Sequence, residues 1–451
     1  MMIELNQKLF SPRQPYIVER RTEAVFFSPE TGVGVLVNSS GRAALRAIRP
    51  SDTPLRLASE LARRLRRPQA EILAALIPFL QVMISSGYLW LNDSPHETSG
   101  PHSYNTEFHP IQLYIHLTHD CNLSCLYCFN REYRQGLRCP ELADSELVRV
   151  LAEAQSCGIR EVIFTGGEPL LREGVLELAD HARRLGLRVC LLTNGTLLEK
   201  HDPGLLTALF DLIFVSLDSC REVENDRLRG VGSYRRTLRG LQKLCGSKPE
   251  AVCLRPVVTR INVQSLSEMP EWAARNLGVK MILPTWYLPN SLAEVDELAL
   301  FVGKESRHFL QAFADAAKTT GITNILDCIP FTTRGKCGAG SQIVSIDATG
   351  EVFPCQALHF SELSAGNVRN QSLKELGQAP AMRGMAEITV SSIAHCHDCG
   401  LAMVCGGGCR ALAFALYRDI HAHNEFLCSI LRQDAEERLW AESEKKRALK
   451  H

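Results

Sequence analysis

The sequence has no stretch of 18 apolar residues, no apolar run at its N-terminus and no surplus of either charge. The first absence excludes a membrane-spanning helix. The opening "MMIELNQKLFSPRQPYIVERR" lacks the apolar segment of a secretory signal, so a cytoplasmic protein is expected. Lysine plus arginine number 50 and aspartate plus glutamate 50 in 451 residues, so no whole-chain field favours nucleic acid or an acidic membrane surface. Neither a nucleic acid nor a membrane is expected as partner. Cysteine, by contrast, is plentiful at 17 residues. Disulfides are rare in a reducing compartment, so these thiols call for another use. Cys139, Cys157, Cys190, Cys220, Cys245 and Cys253 are scattered, mostly in apolar runs such as "RVCLLTNG", and read as small buried hydrophobes. The others cluster.

The length suits about three domains of ordinary size. Residues 1–95 carry three alternating strand-like runs, "YIVER", "EAVFFS" and "GVGVLVN". Three helical patterns follow: "SGRAALRAI" from a Ser40 cap, "TPLRLASELARRL" with Thr53 before Pro54, and "PQAEILAALIPFLQVMISSG" ending at Gly87. A polar stretch at 96–107 reads as a linker. Residues 108–320 alternate amphipathic helices with strands apolar on both faces, among them "REVIFTGG", "LRVCLLTNG", "LIFVSLD", "VCLRPVVT" and "KMILPTW". Such runs suit parallel strands covered by crossover helices, and they predict an α/β fold, a complete or partial (β/α) barrel. Chemistry in such barrels collects at the C-terminal strand ends, where "CNLSCLYC", "TGGEP", "TNGT" and "SLDS" all fall. Residues 321–451 hold the second cysteine cluster and end in the charged "RQDAEERLWAESEKKRALKH", expected to be a solvated helical cap.

"CNLSCLYC" places Cys121, Cys125 and Cys128 within eight residues. A structural zinc site wants four closed ligands, whereas an iron–sulfur cube held by three cysteines leaves one iron open. With Tyr127 before the third cysteine, this loop resembles the signature of the radical S-adenosylmethionine (SAM) superfamily. That resemblance implies a partial (β/α)6 TIM-like barrel. It also implies a [4Fe-4S] cluster on Cys121, Cys125 and Cys128 whose open iron binds SAM, and reductive cleavage to a 5′-deoxyadenosyl radical. By position, Gly166, Gly167, Glu168 and Pro169 match the stretch receiving the methionine amino group, Glu168 being able to pair with the ammonium. Asn194, Ser216, Asp218 and Arg229 match positions lining the ribose and carboxylate region. Taken singly, a glycine-rich stretch is also a turn signal and Asp218 a possible helix cap.

Farther on, Cys337, Gly350 and Cys355, then Cys396, Cys399, Cys405, Cys409 and Cys428, resemble the SPASM extension of radical enzymes in every spacing. The alternative for the Cys-x2-Cys pairs is a zinc ribbon. The resemblance implies two auxiliary [4Fe-4S] clusters, three in all. Cys337, Cys355 and Cys409 would hold the first, with Cys328 as the remaining ligand, and Cys396, Cys399, Cys405 and Cys428 the second. Cys328 would complete the ligation and leave the cluster to relay electrons.

Residues 1–95 resemble the winged-helix-like (α+β) leader-recognition element of enzymes that modify ribosomally made peptides, which add a precursor's leader as an extra strand. A DNA-binding winged helix is the other reading, for which "RRLRR" at 63–67 offers charge. Together the parts resemble a sactipeptide-type maturase. That resemblance implies a precursor peptide bound through its leader, a reducing electron donor such as flavodoxin or ferredoxin, and crosslinks from cysteine sulfur to a peptide carbon. Carbon–carbon, cyclophane-type crosslinking would use the same parts. Sulfatase-type formylglycine maturation shares the pattern, but those enzymes carry an aspartate where Gln356 stands here. A non-catalytic iron–sulfur regulator acting on DNA remains the reading from a different class.

Overall fold

The computed structural model describes residues 3–29, 31–49, 51–91, 107–129, 139–289, 298, 304–324, 335–423 and 425–448. Cys328 and the 96–107 linker, residue 107 apart, lie outside the described residues.

Strands β1 (Tyr16–Arg20), β2 (Glu23–Ser28) and β3 (Val33–Asn38) form an antiparallel sheet in that order. The two-residue period of a strand sends Ala24 and Phe26 to one face and Val25 and Phe27 to the other. Helices Ser39–Ala47, Pro54–Leu65 and Gln69–Ser85 cover the first face, burying Leu45, Leu57, Leu61, Leu76 and Leu80. Thr53 caps the second helix by accepting from the Arg56 N–H, with Pro54 at the first helical position. The first helix departs from expectation. Asn38, not Ser40, is its cap, accepting from the Gly41 N–H at 3.0 Å. Asn caps as well as Ser does, and at the end of β3 it turns the chain directly from strand into helix.

The second face is covered by the C-terminal helix Glu425–Ala448. Ala435, Leu439 and Trp440 are buried against Val18, Val25 and Phe27, and Arg20 lies over the Trp440 ring at 4.5 Å. The expectation of a solvated cap is thereby corrected. The buried stripe is too narrow to stand out among the surrounding charges.

In the central part, β4 (Gln112–His116), β5 (Glu161–Thr165), β6 (Arg188–Thr193), β7 (Leu212–Val215) and β8 (Val252–Leu254) pair in parallel. Short β9 (Val257–Val258), β10 (Met281–Ile282), β11 (Thr285–Trp286) and β12 (Thr323–Asn324) continue the pattern, β9 pairing with β11 and β10 with both β8 and β12. β12 extends the barrel beyond residue 320. On the other side β13 (Ile343–Ile346) runs parallel to β4, and β14 (Glu351–Phe353) and β15 (Gly366–Asn367) follow antiparallel. One ten-stranded sheet therefore runs from the barrel into the cysteine-rich part. Leu113, Ile115, Val162, Phe164, Val189, Leu191 and Ile213 face the covering helices. Tyr114, Ile163, Cys190, Leu192, Leu212, Phe214 and Cys253 pack together on the opposite, inner face. This double burial makes the strands read as continuous apolar runs.

Candidate active site

Residues 117–128 leave β4 and cross the turn that follows β5. The Gly167 N–H donates to Thr118 O and the Glu168 N–H to Asp120 O, each at 2.7 Å. Gly166 has φ +137°, and a Cβ there would lie 2.4 Å from Thr118 O. A Cβ at Gly167 would lie 2.1 Å from Asp120 O. The pair is a seat on which the backbone entering Cys121 rests, and only glycine leaves room for it.

Glu168 is 0% exposed. Its carboxylate accepts from the Thr193 hydroxyl at 2.7 Å, the Asn194 N–H at 2.8 Å and the Leu170 N–H at 3.1 Å. Burial raises its pKa while those bonds oppose the rise. The glutamate thus ties the turn, continued by the single helical turn Pro169–Leu171, to the end of β6. From there the Asn194 amide donates to Asn122 Oδ1 at 2.9 Å and reaches Cys121 Sγ at 3.8 Å. Its own Oδ1 accepts from the Thr196 N–H at 2.9 Å.

The far side of the loop is held by Tyr127, Asp218 and Arg229. The Tyr127 hydroxyl donates to Asp218 Oδ2, and Arg229 Nη1 donates to both, reaching the carboxylate at 3.3 Å. Asp218 Oδ1 accepts from the Val257 N–H at 3.0 Å, so it locks the loop to β9 instead of capping a helix. The Leu126 N–H donates to Leu228 O at 2.8 Å, joining the loop to the Glu222–Arg229 helix. Burial drives the Tyr127 phenol well above its usual range. Burial also opposes the Arg229 charge, but Tyr127, Cys125 and Asp218 outweigh it and hold the guanidinium protonated. Ser216 is half-buried, its N–H bonded to Thr193 O at 3.0 Å, next along the chain from β7.

These residues fit a bound amino acid beside a metal cluster. Among the described residues, Arg229 Nε is a buried donor without a hydrogen-bond partner, which a carboxylate would satisfy. Burial pushes the Cys125 thiol up to about 11, with Arg229 opposing and Asp218, Cys128 and Cys121 adding. A thiol of that kind stays protonated in water but would release its proton to solvent on binding a metal.

Two further thiol groups lie in the cysteine-rich part. Cys355, pushed up to about 12 by burial, is within electrostatic reach of Cys337 and Cys409. Cys405, pushed up to about 11, is within reach of Cys396, Cys428 and Cys399. Among the described residues, no three His, Cys, Asp or Glu side chains gather closely enough for a single metal ion. Of the scattered cysteines, Cys190, Cys245 and Cys253 are buried as expected, Cys157 and Cys220 are half-buried, and Cys139 is exposed.

One residue escaped the reading of the sequence. Arg410 is 1% exposed, and its guanidinium donates to the carbonyls of Gly407, Ala422 at 2.9 Å and Ile420 at 3.1 Å. Burial disfavours its charge, while Cys409, Cys337, Cys396 and Cys405 favour it, so this cation stands between both thiol groups. The signal was a lone arginine between the glycine run "CGGGC" and the apolar "ALAFALY".

On the inner face, near the mouth, His116 meets His359 with ring centroids 4.5 Å apart. His359 stacks on Phe353 at 4.4 Å and hydrogen-bonds Ser345 Oγ at 2.8 Å. Burial lowers the His116 pKa to about 3 and holds that of His359 well below the usual value.

Residues 115–273 match the family model of the radical SAM superfamily, and residues 337–400 that of the SPASM iron–sulfur cluster-binding domain. Among curated proteins, the AdoMet-dependent heme synthase of Methanosarcina barkeri is 28% identical over 67% of this chain and 92% of its own. The PqqA peptide cyclase of Gluconobacter oxydans is 29% identical over 71% of this chain and 91% of its own. Among solved structures, Streptococcus suis SuiB bound to its precursor peptide SuiA superposes with a TM-score of 0.57 at 14% identity. That match covers 95% of this chain and 99% of SuiB, and SuiB has also been solved with S-adenosylmethionine. Among the described residues, no helix is long and apolar enough to cross a membrane.

Proposed function

The chain is a radical SAM/SPASM enzyme, a peptide maturase that uses S-adenosylmethionine and [4Fe-4S] clusters, and from that premise we propose that it builds thioether crosslinks within a ribosomally made precursor. In this reading Cys121, Cys125 and Cys128 hold the SAM-binding cluster, with Tyr127, Asp218 and Arg229 fixing the loop. Cys337, Cys355 and Cys409, joined by Cys328, hold the first auxiliary cluster, and Cys396, Cys399, Cys405 and Cys428 the second. When bound, these groups supply a hydrogen-abstracting 5′-deoxyadenosyl radical and an acceptor for one surplus electron. In the crosslink itself, a substrate carbon loses a hydrogen atom, a cysteine thiol loses its proton, a C–S bond forms and one electron leaves. Each crosslink therefore costs the peptide two hydrogens.

The observation that carries the reading is the place of Cys355. It lies within electrostatic reach of Tyr114 on the inner face of the barrel, so a cluster held by Cys355 would stand beside the face on which the peptide would react and would supply an acceptor for the surplus electron there. The chain's own residues do the rest. Ile163, Cys190, Leu192, Leu212 and Phe214 line the inner face with groups that offer water little purchase. Gln356 offers an amide where formylglycine-forming enzymes carry a proton-accepting carboxylate, which disfavours that chemistry. The leader is expected to add to the N-terminal sheet, whose outer strands β1 and β3 each have one edge without a strand partner among the described residues.

Anaerobic incubation of the reduced enzyme with SAM and its precursor is expected to lower peptide mass by two hydrogens and remove one alkylatable thiol per crosslink. An unchanged peptide with 5′-deoxyadenosine still accumulating would refute the proposal. Carbon–carbon crosslinking, favoured by the likeness to the PqqA peptide cyclase, would give the same mass change with every thiol still alkylatable.

A further inference from the structure

Resting on the peptide-maturase reading, the geometry points to a carboxylate-recognition subsite on the inner face of the barrel, built from Arg255 and Gln356. Arg255 follows β8, and its N–H bonds to Val215 O at 2.9 Å, which brings it level with Ser216. Strand alternation turns it inward with Cys253, and its guanidinium stands 5.8 Å from the centre of the Phe214 ring. It is half-buried, and among the described residues no carboxylate or hydrogen-bond acceptor engages the guanidinium. Two other arginines near the mouth already have carboxylate partners: Arg229 has Asp218, with Tyr127 beside it, and Arg221 has Glu224 and Glu268.

From the opposite side of the barrel, Tyr114 on β4 is within electrostatic reach of Arg255, and the Gln356 amide lies beside the Tyr114 hydroxyl. Gln356 Oε1 is buried and has no hydrogen-bond partner among the described residues. Tyr114 pairs with Ser345 and Ser345 with Phe353, three residues before Gln356, while Phe214 beside Arg255 packs in the same inner-face cluster as Tyr114. A cation without counterion and a buried acceptor without donor therefore flank one patch of that face. Burying unsatisfied polar groups is costly, so such a pair marks a place that something completes. The complement is a carboxylate for Arg255 and an N–H for Gln356. A peptide residue carries both, either as an Asp or Glu side chain beside its own amide or as a C-terminal carboxylate beside its own amide. The segment that enters the barrel would thus be registered against the radical by an acidic group, and Arg255 and Gln356 would be positioning residues.

The test uses the cluster-loaded enzyme saturated with SAM, without reductant, titrated by ligand-observed NMR. The probes are N-acetyl-glutamate N-methylamide, N-acetyl-alanine, and neutral N-acetyl-glutamine N-methylamide. Wild type should prefer one of the two acids over the neutral probe by about tenfold, and the preferred acid identifies the source of the carboxylate. Arg255→Gln should erase that preference and Arg255→Lys keep part of it, with SAM affinity held within about twofold. Equal binding of all probes to wild type overturns the proposal. So does an acid preference that survives Arg255→Gln, or a loss of SAM affinity in Arg255→Gln beyond about tenfold, which would assign the guanidinium to the cofactor's own carboxylate. Crosslinking of the precursor is scored separately. Its absence alongside intact acid selectivity would fault the crosslinking reading and leave the subsite standing.

Discussion

Replacing Gly167 with alanine tests the seat beneath the cysteine loop. The new methyl would sit 2.1 Å from Asp120 O and 2.6 Å from both Asp120 C and His119 O, all backbone atoms. Contacts of real Cβ atoms begin near 3.0 Å, so the segment entering Cys121 must retreat by at least 0.9 Å. Two bonds would be stretched with it, Gly167 N–H to Thr118 O and Glu168 N–H to Asp120 O. Overpacking costs about 1–3 kcal/mol where side chains can yield. Here only backbone can yield, and the loss of each hydrogen bond adds about 1 kcal/mol. The expected outcome is local: after anaerobic reconstitution the variant should lack one cluster's worth of iron and should not cleave SAM. The two cysteine groups of the C-terminal part should still load. Gly384→Ala, where a Cβ meets nothing within 4 Å, is the matched control. A Gly167→Ala protein with wild-type iron content and wild-type 5′-deoxyadenosine formation would refute the seat.

Tyr127→Phe removes the hydroxyl shared by Asp218 and Arg229, and should raise the SAM dissociation constant about tenfold with the barrel still folded by circular dichroism. Arg410→Met should lower the auxiliary-cluster midpoint potentials by on the order of tens of millivolts in an EPR-monitored titration, whereas Arg410→Lys should largely retain them. His116 sets an acid limit: its folded pKa of about 3 lies below the ordinary 6.5, so its stabilising contribution is complete above pH 6.5 and is lost as pH falls towards 3. By pH 5 the loss is about 2 kcal/mol, seen as a falling urea midpoint that His116→Gln should flatten. A wild-type midpoint constant from pH 7 to 5 would contradict the burial argument.

The barrel was legible because its strands are apolar on both faces, and the helix at Pro54 because Thr53 and Pro54 are strong local signals. Local signals failed where two competed: Asn38 and Ser40 are both good caps, and only the end of β3 decides between them. They failed again in the C-terminal helix, whose buried Ala435, Leu439 and Trp440 are outnumbered by charges. Motif positions identified Tyr127, Asp218 and Arg229 singly, but their mutual bonding spans 91 and 102 residues of sequence and belongs to the tertiary fold. Glu168 was legible as a motif residue, but its burial and its bonds to Thr193 and Asn194 at the end of β6 belong to the tertiary fold and no motif announces them. Arg410 was invisible because one arginine before an apolar helix looks like a surface residue until its carbonyl partners are seen.

The back of the N-terminal sheet rests on Leu401, Val404 and the Glu425–Ala448 helix, with Cys399 and Cys405 packed into the same apolar layer. The sheet proposed to receive the leader and two of the thiols proposed to hold iron thus share one foundation. In that reading, oxidation of Cys399 or Cys405 would disturb the apolar layer beneath the sheet as well as the cluster, so a damaged molecule would release its peptide instead of holding it idle.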